Sequence, residues 1–368
     1  MTSNSELQGI VYNGKHCYSS GMENSRKVVR TFIKQILQCV ENLLKQEHRT
    51  SKTICIAEFG AADGGVSLEL MVTVIDYINK TSDDLRDITI VYEDQLFNDY
   101  NVLFKTIHAN NSDLGNKLSD SDNVHVLASA TSMYRKCVPA SSVDLAFSSM
   151  ANHWLSQKPC DIRGGIFQSD CDNYEDLYAF RCQWQTDWNQ FLSCRAQELQ
   201  PGGYLAVVSF VTDDNGRCND HLGEDSYHVL STIWKEFQQT GKISKEELIR
   251  TSSVTYHPTK AELEKPFQDD IEGNLSLVSC TPKDIEIIPS PPHDAGIEDR
   301  ETFVDKSLKC IKPWLYNILM SGLSPDRTEE DKDRLLDEYF KTLRNILIKK
   351  TQFGPIIYRT ACVIAKRT

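Results

Sequence analysis

Between Glu23 and Glu47 the apolar residues Val28, Phe32, Ile36, Val40 and Leu43 recur at three- and four-residue spacing. That period places them on one face of an amphipathic helix. The period then changes. TICIAEFG (53–60) is a short β-branched apolar run closed by Gly60, the pattern of a strand buried on both faces of a parallel sheet. Residues 66–79 return to helical spacing, and DITIVYED (87–94) is a second strand that ends in acids. HVLAS (125–129) and SVDLAFSS (142–149) are short third and fourth strands, and the polar stretch 109–123 reads as a surface loop. Residues 174–199 interleave Tyr178, Phe180, Trp184, Trp188, Phe191 and Leu192 with polar positions, a helix stopped by Pro201, Gly202 and Gly203. YLAVVSFV (204–211) is another buried strand. Strands alternating with helices predict an α/β fold around a mainly parallel sheet.

After Asp213 the pattern is mostly helical, over 226–250, 259–266, 300–320 and 329–349. It is interrupted by the extended stretch NLSLVSC (274–280) and the Pro-rich loop PSPPHDAG (289–296). The β-rich segment IIYRTACVIAK (356–366) can rejoin the sheet. The expected organisation is a core over 1–212 that begins with a lid segment, a mostly helical cap over 213–350, and a strand within 351–368 returning to the core. No internal repeat is visible.

Composition narrows the class. The 368 residues are 40% hydrophobic and 25% charged, an ordinary globular mixture. With 40 Lys plus Arg against 52 Asp plus Glu, the net charge is −12, which argues against a nucleic-acid partner. No apolar run follows the polar start MTSNSELQG, so no secretory signal is expected. No apolar window of about 18 residues exists, so no membrane span is expected either. The 12 cysteines include no C-x-x-C pair and read as reduced thiols of a cytoplasmic protein. His221 and His228 lack partners at metal spacing. The acidic run Thr328–Asp333 reads as the solvated start of a helix, and the Trp184, Trp188 and Phe191 set as core.

Two places carry candidate chemistry. EFGAADGG (58–65) follows a strand and opens a helix. Gly60 there permits a tight turn and close backbone approach to a ligand, although glycine at such a turn is also ordinary. The G-x-G-x-x-G pattern of dinucleotide binders is missing. Glu93 and Asp94 close the next strand. An acid at that point can accept hydrogen bonds from both ribose hydroxyls of an adenosine, or simply cap a helix. Without phosphate-binding glycines or a P-loop lysine, the pair points to an adenosine cofactor that carries no phosphates. S-adenosylmethionine fits.

Four segments then resemble the SABATH methyltransferases, known as plant salicylate, benzoate, jasmonate and caffeine-pathway enzymes. They are YEDQLFNDYN (92–101), SMYRKCVP (132–139), SSMANHWLSQKP (148–159) and DWNQFLSCRAQELQPGG (187–203), with a weaker echo in TYHPTKAEL (255–263). The order and spacing span most of the chain, and the C-terminal third matches only in character. The resemblance implies a class I, Rossmann-like methyltransferase fold with a helical cap, S-adenosylmethionine as cofactor, S-adenosylhomocysteine as product, and a homodimer.

Residue by residue, the resemblance places Tyr18 over the cofactor and Gly60 in its glycine turn, with Ala61 replacing the usual Cys and Val66 the usual Asn. Asp94 matches the ribose acid, and Gln95 stands for a Leu beside the adenine. Ser132 and Met133 match the Ser-Phe pair on the adenine, and Ser149 a cofactor-pocket position. Met150, His153 and Trp154 align with the substrate pocket. The indole N–H of Trp154 can hold a carboxylate oxygen. By the residues alone it reads as a core aromatic on a strand–helix turn, and the resemblance reverses that reading. His153 either supplies a second donor, binds a ring substituent or packs. None of these residues is an obligatory acid or base, because methyl transfer to an ionised carboxylate needs positioning and desolvation.

The departures matter too. Ser25 replaces the family's carboxylate-binding Gln, and Met150 replaces a pocket Tyr. The family's Mg²⁺ ligands correspond to Ile162 and to IRTS (249–252), which lack the oxygens a hard cation needs, so no Mg²⁺ is expected. The expected activity is methyl-ester formation on a small-molecule carboxylate. The alternatives are N-methylation of a small heteroaromatic compound, or an inactive relative that binds cofactor.

Overall fold

Seven strands, β1 (Thr53–Phe59), β2 (Asp87–Asp94), β3 (Val124–Ala130), β4 (Val143–Ser149), β5 (Leu199–Phe210), β6 (Leu275–Ile288) and β7 (Ile356–Arg367), form one sheet in the order β3-β2-β1-β4-β5-β7-β6. The structure is a computed structural model. It describes residues 23–46, 53–81, 86–108, 118, 121–171, 174–213, 216, 218, 226–268, 275–292, 294–350 and 353–368. Neighbours among β1 to β5 run parallel, while β7 is antiparallel to both β5 and β6. This is the α/β class I methyltransferase arrangement, a mostly parallel mixed sheet with helices.

The hydrophobic pattern explains the layers. β1 and β4 are buried along nearly their whole length because helices cover both faces. On one face α1 (Glu23–Leu44) and α2 (Leu68–Thr81) bury Val28, Phe32, Ile36, Met71 and Ile75 against the sheet. On the other face a long helix, Tyr174–Glu198, inserts Trp184, Trp188 and Phe191, which are fully buried core. Chain order moves outward from β1 to β3 and then returns to β4 on the other side of β1. The crevice at this switch point, outside the carboxyl ends of β1 and β4, is where open α/β sheets bind ligands.

Several elements differ from the sequence pattern. A helix absent from that reading, α3 (Tyr100–Ile107), is started by Asp99, whose side chain accepts from Val102 N. The long helix just described is α4. Its end coincides with the start of β5, so Pro201, Gly202 and Gly203 lie inside a strand and not in a loop before it. They form a bulge, since the register steps from Val143↔Leu199 to Leu145↔Tyr204. The helix expected over 226–250 is two helices, α5 (Ser226–Gln239) and α6 (Lys245–Arg250). Gly241 at φ +74° ends the first turn of chain, and Ser244 restarts it with a capping box to Glu247.

A short α7 (Lys260–Glu264), α8 (Ile297–Gly322) and α9 (Glu329–Ile348) follow. With α5 and α6, α8 and α9 enclose a separate apolar cluster around Trp234, Leu315 and Tyr339. The stretch 213–350 is not cap alone, because β6 is twice as long as the pattern over 274–280 predicts and forms the sheet edge beside β7. Pro282 is tolerated there since an edge strand can spare an N–H. Most of the polar stretch 109–123 and all of 1–22, including Tyr18, lie outside the described residues.

Candidate active site

The chain leaves β1 through Gly60 at φ +75°, where an added Cβ would meet Ala151 Cβ at 2.4 Å. Only glycine lets the β1 and β4 loops approach this closely. Gly60 N and Ala61 N both donate to Glu93 O, at 3.0 and 2.9 Å, tying this turn to β2. Asp94, at the end of β2, accepts from Ala62 N at 2.5 Å through Oδ2 and from Gln95 N at 2.7 Å through Oδ1. Tyr100 Oη and Asn98 Nδ2 brace the same loops from α3 and its lead-in. A cavity of about 130 Å³ opens over these turns. Of the residues expected at the cofactor, Gly60, Ala61, Val66, Asp94, Gln95, Ser132, Met133 and Ser149 all line it.

A second cavity of about 60 Å³ lies beside the first. Ser25, Met150, His153 and Trp154, the four residues expected at the substrate, line it. Ser25, Met150 and Trp154 also line the first cavity, so these three form the seam between the two. Met150 carries φ +51°, an uncommon backbone for a side chain of this size, and donates its N–H to Val208 O at 2.7 Å. The turn after it is held from α4: Trp184 Nε1 donates to Asn152 O, and Ser156 donates to Asp187 through both its N and its Oγ. An antiparallel bridge joins Trp154 to Thr255, with Leu155 N donating to Val254 O and Tyr256 N to His153 O, each at 2.9 Å.

A family model described as SAM dependent carboxyl methyltransferase matches residues 8–358. The chain belongs to this family. Among curated relatives, Methyltransferase LUC1 of a Fusarium species is 23% identical, with 95% of each chain covered. Jasmonate O-methyltransferase of Arabidopsis thaliana is also 23% identical, over 89% of this chain and 91% of that one. In structure, a loganic acid methyltransferase with SAH superposes with a TM-score of 0.69 at 19% identity, over 96% of this chain and 98% of that one. The protein is thus an S-adenosylmethionine-dependent methyltransferase by family, and the solved relative confirms its fold.

The residues present fit the methyltransferase cofactor. Gly60 leaves the cradle open that a Cβ would close, and Ser149 Oγ is buried in the wall without a partner among the described residues. Each Asp94 oxygen accepts one backbone hydrogen bond, and a carboxylate oxygen has room for two acceptances, which leaves capacity for a ribose.

Glu58 was given no role in the sequence reading, and Glu93 was read there only together with Asp94. Glu58 and Glu93 both line the first cavity and are 3% and 1% exposed. Burial pushes the Glu58 carboxyl up to about 8, against a hydrogen bond from Ser67 Oγ at 2.5 Å, with Asp94 and Asp63 adding repulsion. Burial also raises Glu93 well above the carboxylate range, although Arg195 and the Gly60 N–H pull it down. The acidic residue two positions before Gly60 was the available signal, hidden inside an apolar strand.

Behind the loop after β3 sits Arg195, fully buried on α4. Its Nε donates to Glu198 at 2.6 Å, and its terminal nitrogens donate to Met133 O and Arg135 O at 2.8 and 2.9 Å. Glu198 Oε1 in turn accepts from Cys137 N and Val138 N. The loop that carries Ser132 and Met133 is therefore clamped at both ends by one ion pair. Tyr134, from the same loop, donates its hydroxyl to Trp154 O and couples the two cavities.

Proposed function

We propose that this protein transfers the methyl group of S-adenosylmethionine to a carboxylate oxygen of a small acid, forming a methyl ester. The seam carries this reading: Ser25, Met150 and Trp154 are walls of both cavities at once. A group bound in one cavity then meets a group bound in the other across those side chains. S-adenosylmethionine brings an already activated methyl, whose C–S bond breaks as an acceptor lone pair forms the new C–O bond, leaving S-adenosylhomocysteine. The chain's own part is to hold and to exclude water. Trp154 Nε1 and Ser25 Oγ are neutral donors suited to one carboxylate. The second cavity is walled by Phe167, Phe210, Trp314 and Tyr358, which keep that carboxylate poorly hydrated. Among the described residues, no Lys or Arg lines it.

The identity of Ile162 and of 249–252 supports turnover without Mg²⁺. Ile162 is fully buried in apolar core, and the hydroxyls of Thr251 and Ser252 bond back to Glu247 O and Ile249 O. The 12 cysteines, none in a C-x-x-C pair, support a reducing, cytoplasmic setting. The family resemblance supports a homodimer. No helix among the described residues is long and apolar enough to cross a membrane.

Isothermal titration with S-adenosylmethionine, then a labelled-methyl screen of small acids and N-heterocycles, tests the reading. Binding followed by alkali-labile product is expected, and a metal chelator leaves the rate unchanged. Trp154→Ala lowers kcat/KM by about 10- to 100-fold, the equivalent of one hydrogen bond to a charged group. Absence of cofactor binding at millimolar concentration, or transfer only to ring nitrogen, sinks the proposal.

A further inference from the structure

Away from the seam, the second cavity runs into a belt of rings. His153 stacks on His257 with centroids 5.4 Å apart and planes at 16°. Phe210 meets both edge-on, at 5.2 and 6.1 Å, and Tyr227 lies beyond His257 at 6.5 Å. The backbone bridge between Trp154 and Thr255 fixes this stack, since it sets residues 153 and 257 on facing strands. Phenyl rings would fill the same space. What the two imidazoles add is polarity, and buried polarity costs free energy unless it is partnered. His153 Nδ1 is buried with no hydrogen-bond partner among the described residues. Buried polar atoms in folded proteins are nearly always paired, so an orphan in a cavity wall calls for a ligand atom. Burial holds both rings neutral, with His257 brought down to about 4, so each offers one donor and one acceptor and no charge.

We propose that His257, stacked on His153, is a specificity-determining residue that reads a neutral hydrogen-bonding group of the acceptor, a hydroxyl, carbonyl or ring nitrogen, remote from the methylated carboxylate. The proposal rests on the seam being the place of methyl transfer. It deepens that reading by giving the acceptor two polar ends with an apolar ring between them. The cavity has less than half the volume of its neighbour, about 60 against 130 Å³, which suits a single-ring acid.

Calorimetric titration of the intact protein loaded with S-adenosylhomocysteine tests this without turnover. Benzoate is compared with the isomeric hydroxybenzoates and pyridinecarboxylates. At least one polar isomer binds about tenfold tighter than benzoate, as one buried hydrogen bond implies. The preference drops below about threefold in His257→Phe, which keeps the ring and stack, and persists in His257→Gln, which keeps the polarity. Affinity for S-adenosylhomocysteine in each variant reports that it is folded. Equal affinities across the panel, or a preference undiminished in His257→Phe, overturn the proposal. If the preference is found but no labelled methyl is transferred to any acid, the carboxylate-methylation reading fails and the recognition by His257 stands.

Discussion

Glu58 shows how one buried group ties stability to pH. Its carboxyl sits at about 8 in the folded chain against an ordinary 4.5. Between those values the folded protein holds a proton that the unfolded chain has released. The stability this contributes is fully present below pH 4.5 and is lost as the pH rises through 8. Glu93 and Asp94 are shifted upward too, chiefly by burial, and add to the same slope. The melting temperature of the cofactor-free protein therefore falls as pH rises across this window. Glu58→Gln, neutral and similar in shape, flattens the fall; a scanning-calorimetry series on both proteins reads it, and an unchanged slope refutes the assignment. A bound ammonium group in the same cavity favours the ionised form, so affinity for S-adenosylmethionine rises with pH toward 8 in wild type and less steeply in the variant, which keeps Glu93 and Asp94. Turn residues such as Gly60 and Asp94 were legible because strand, glycine and acid are neighbours in sequence. Glu58 was not, since a lone acid within TICIAEFG looks like an interruption of a strand.

At the scale of elements, α4 organises the site from behind. It presents Trp184 and Asp187 to the turn after Met150, and Arg195 and Glu198 to the loop after Ser132. Removing one partner of a fully buried pair leaves the other charge uncompensated, at a cost of about 3–5 kcal/mol. Arg195→Met lowers stability by that order and loosens the Ser132–Val138 loop. The measurable signature is a weaker S-adenosylmethionine affinity that double substitution with Glu198→Gln partly restores. Equal losses in single and double variants would falsify the clamp. Here too the sequence was readable where period and length were long, as in α1, α4, α8 and α9. It was least readable where one turn decides the element. α3 is only eight residues, Gly241 splits a continuous helical period, and β6 alternates too weakly at an exposed edge to be seen past residue 280.

For the molecule as a whole, the two cavities divide between core and cap. The first is built almost entirely from turns at the carboxyl ends of β1, β2 and β4 and the loop after β3. The second takes Tyr227, Trp314 and Ile318 from the helical cap. Residues of the first cavity thus cluster in short sequence motifs, where a motif reading can find them. Residues of the second cavity such as His257 and Tyr227 come from distant segments joined by tertiary packing, which no local pattern records. The same division predicts that cap substitutions move acceptor preference while sparing cofactor affinity: Trp314→Ala changes KM for acids and leaves the S-adenosylmethionine titration as it was. A matching loss of cofactor binding would show that cap and core are not separable in this way.

β7 follows every other described element in the chain, yet it lies between β5 and β6 in the sheet. During synthesis, the flank of β5 emerges and waits with its backbone groups unpaired until Ile356–Arg367 have been made. Open strand flanks of this kind invite pairing with other chains, so the interval before completion is the period of greatest exposure to aggregation. Tyr358, a wall of the acceptor cavity, arrives on that same strand. A nascent chain that already displays the turns after β1 and β2 is therefore still without a finished second cavity, and β7 closes the sheet and that cavity together.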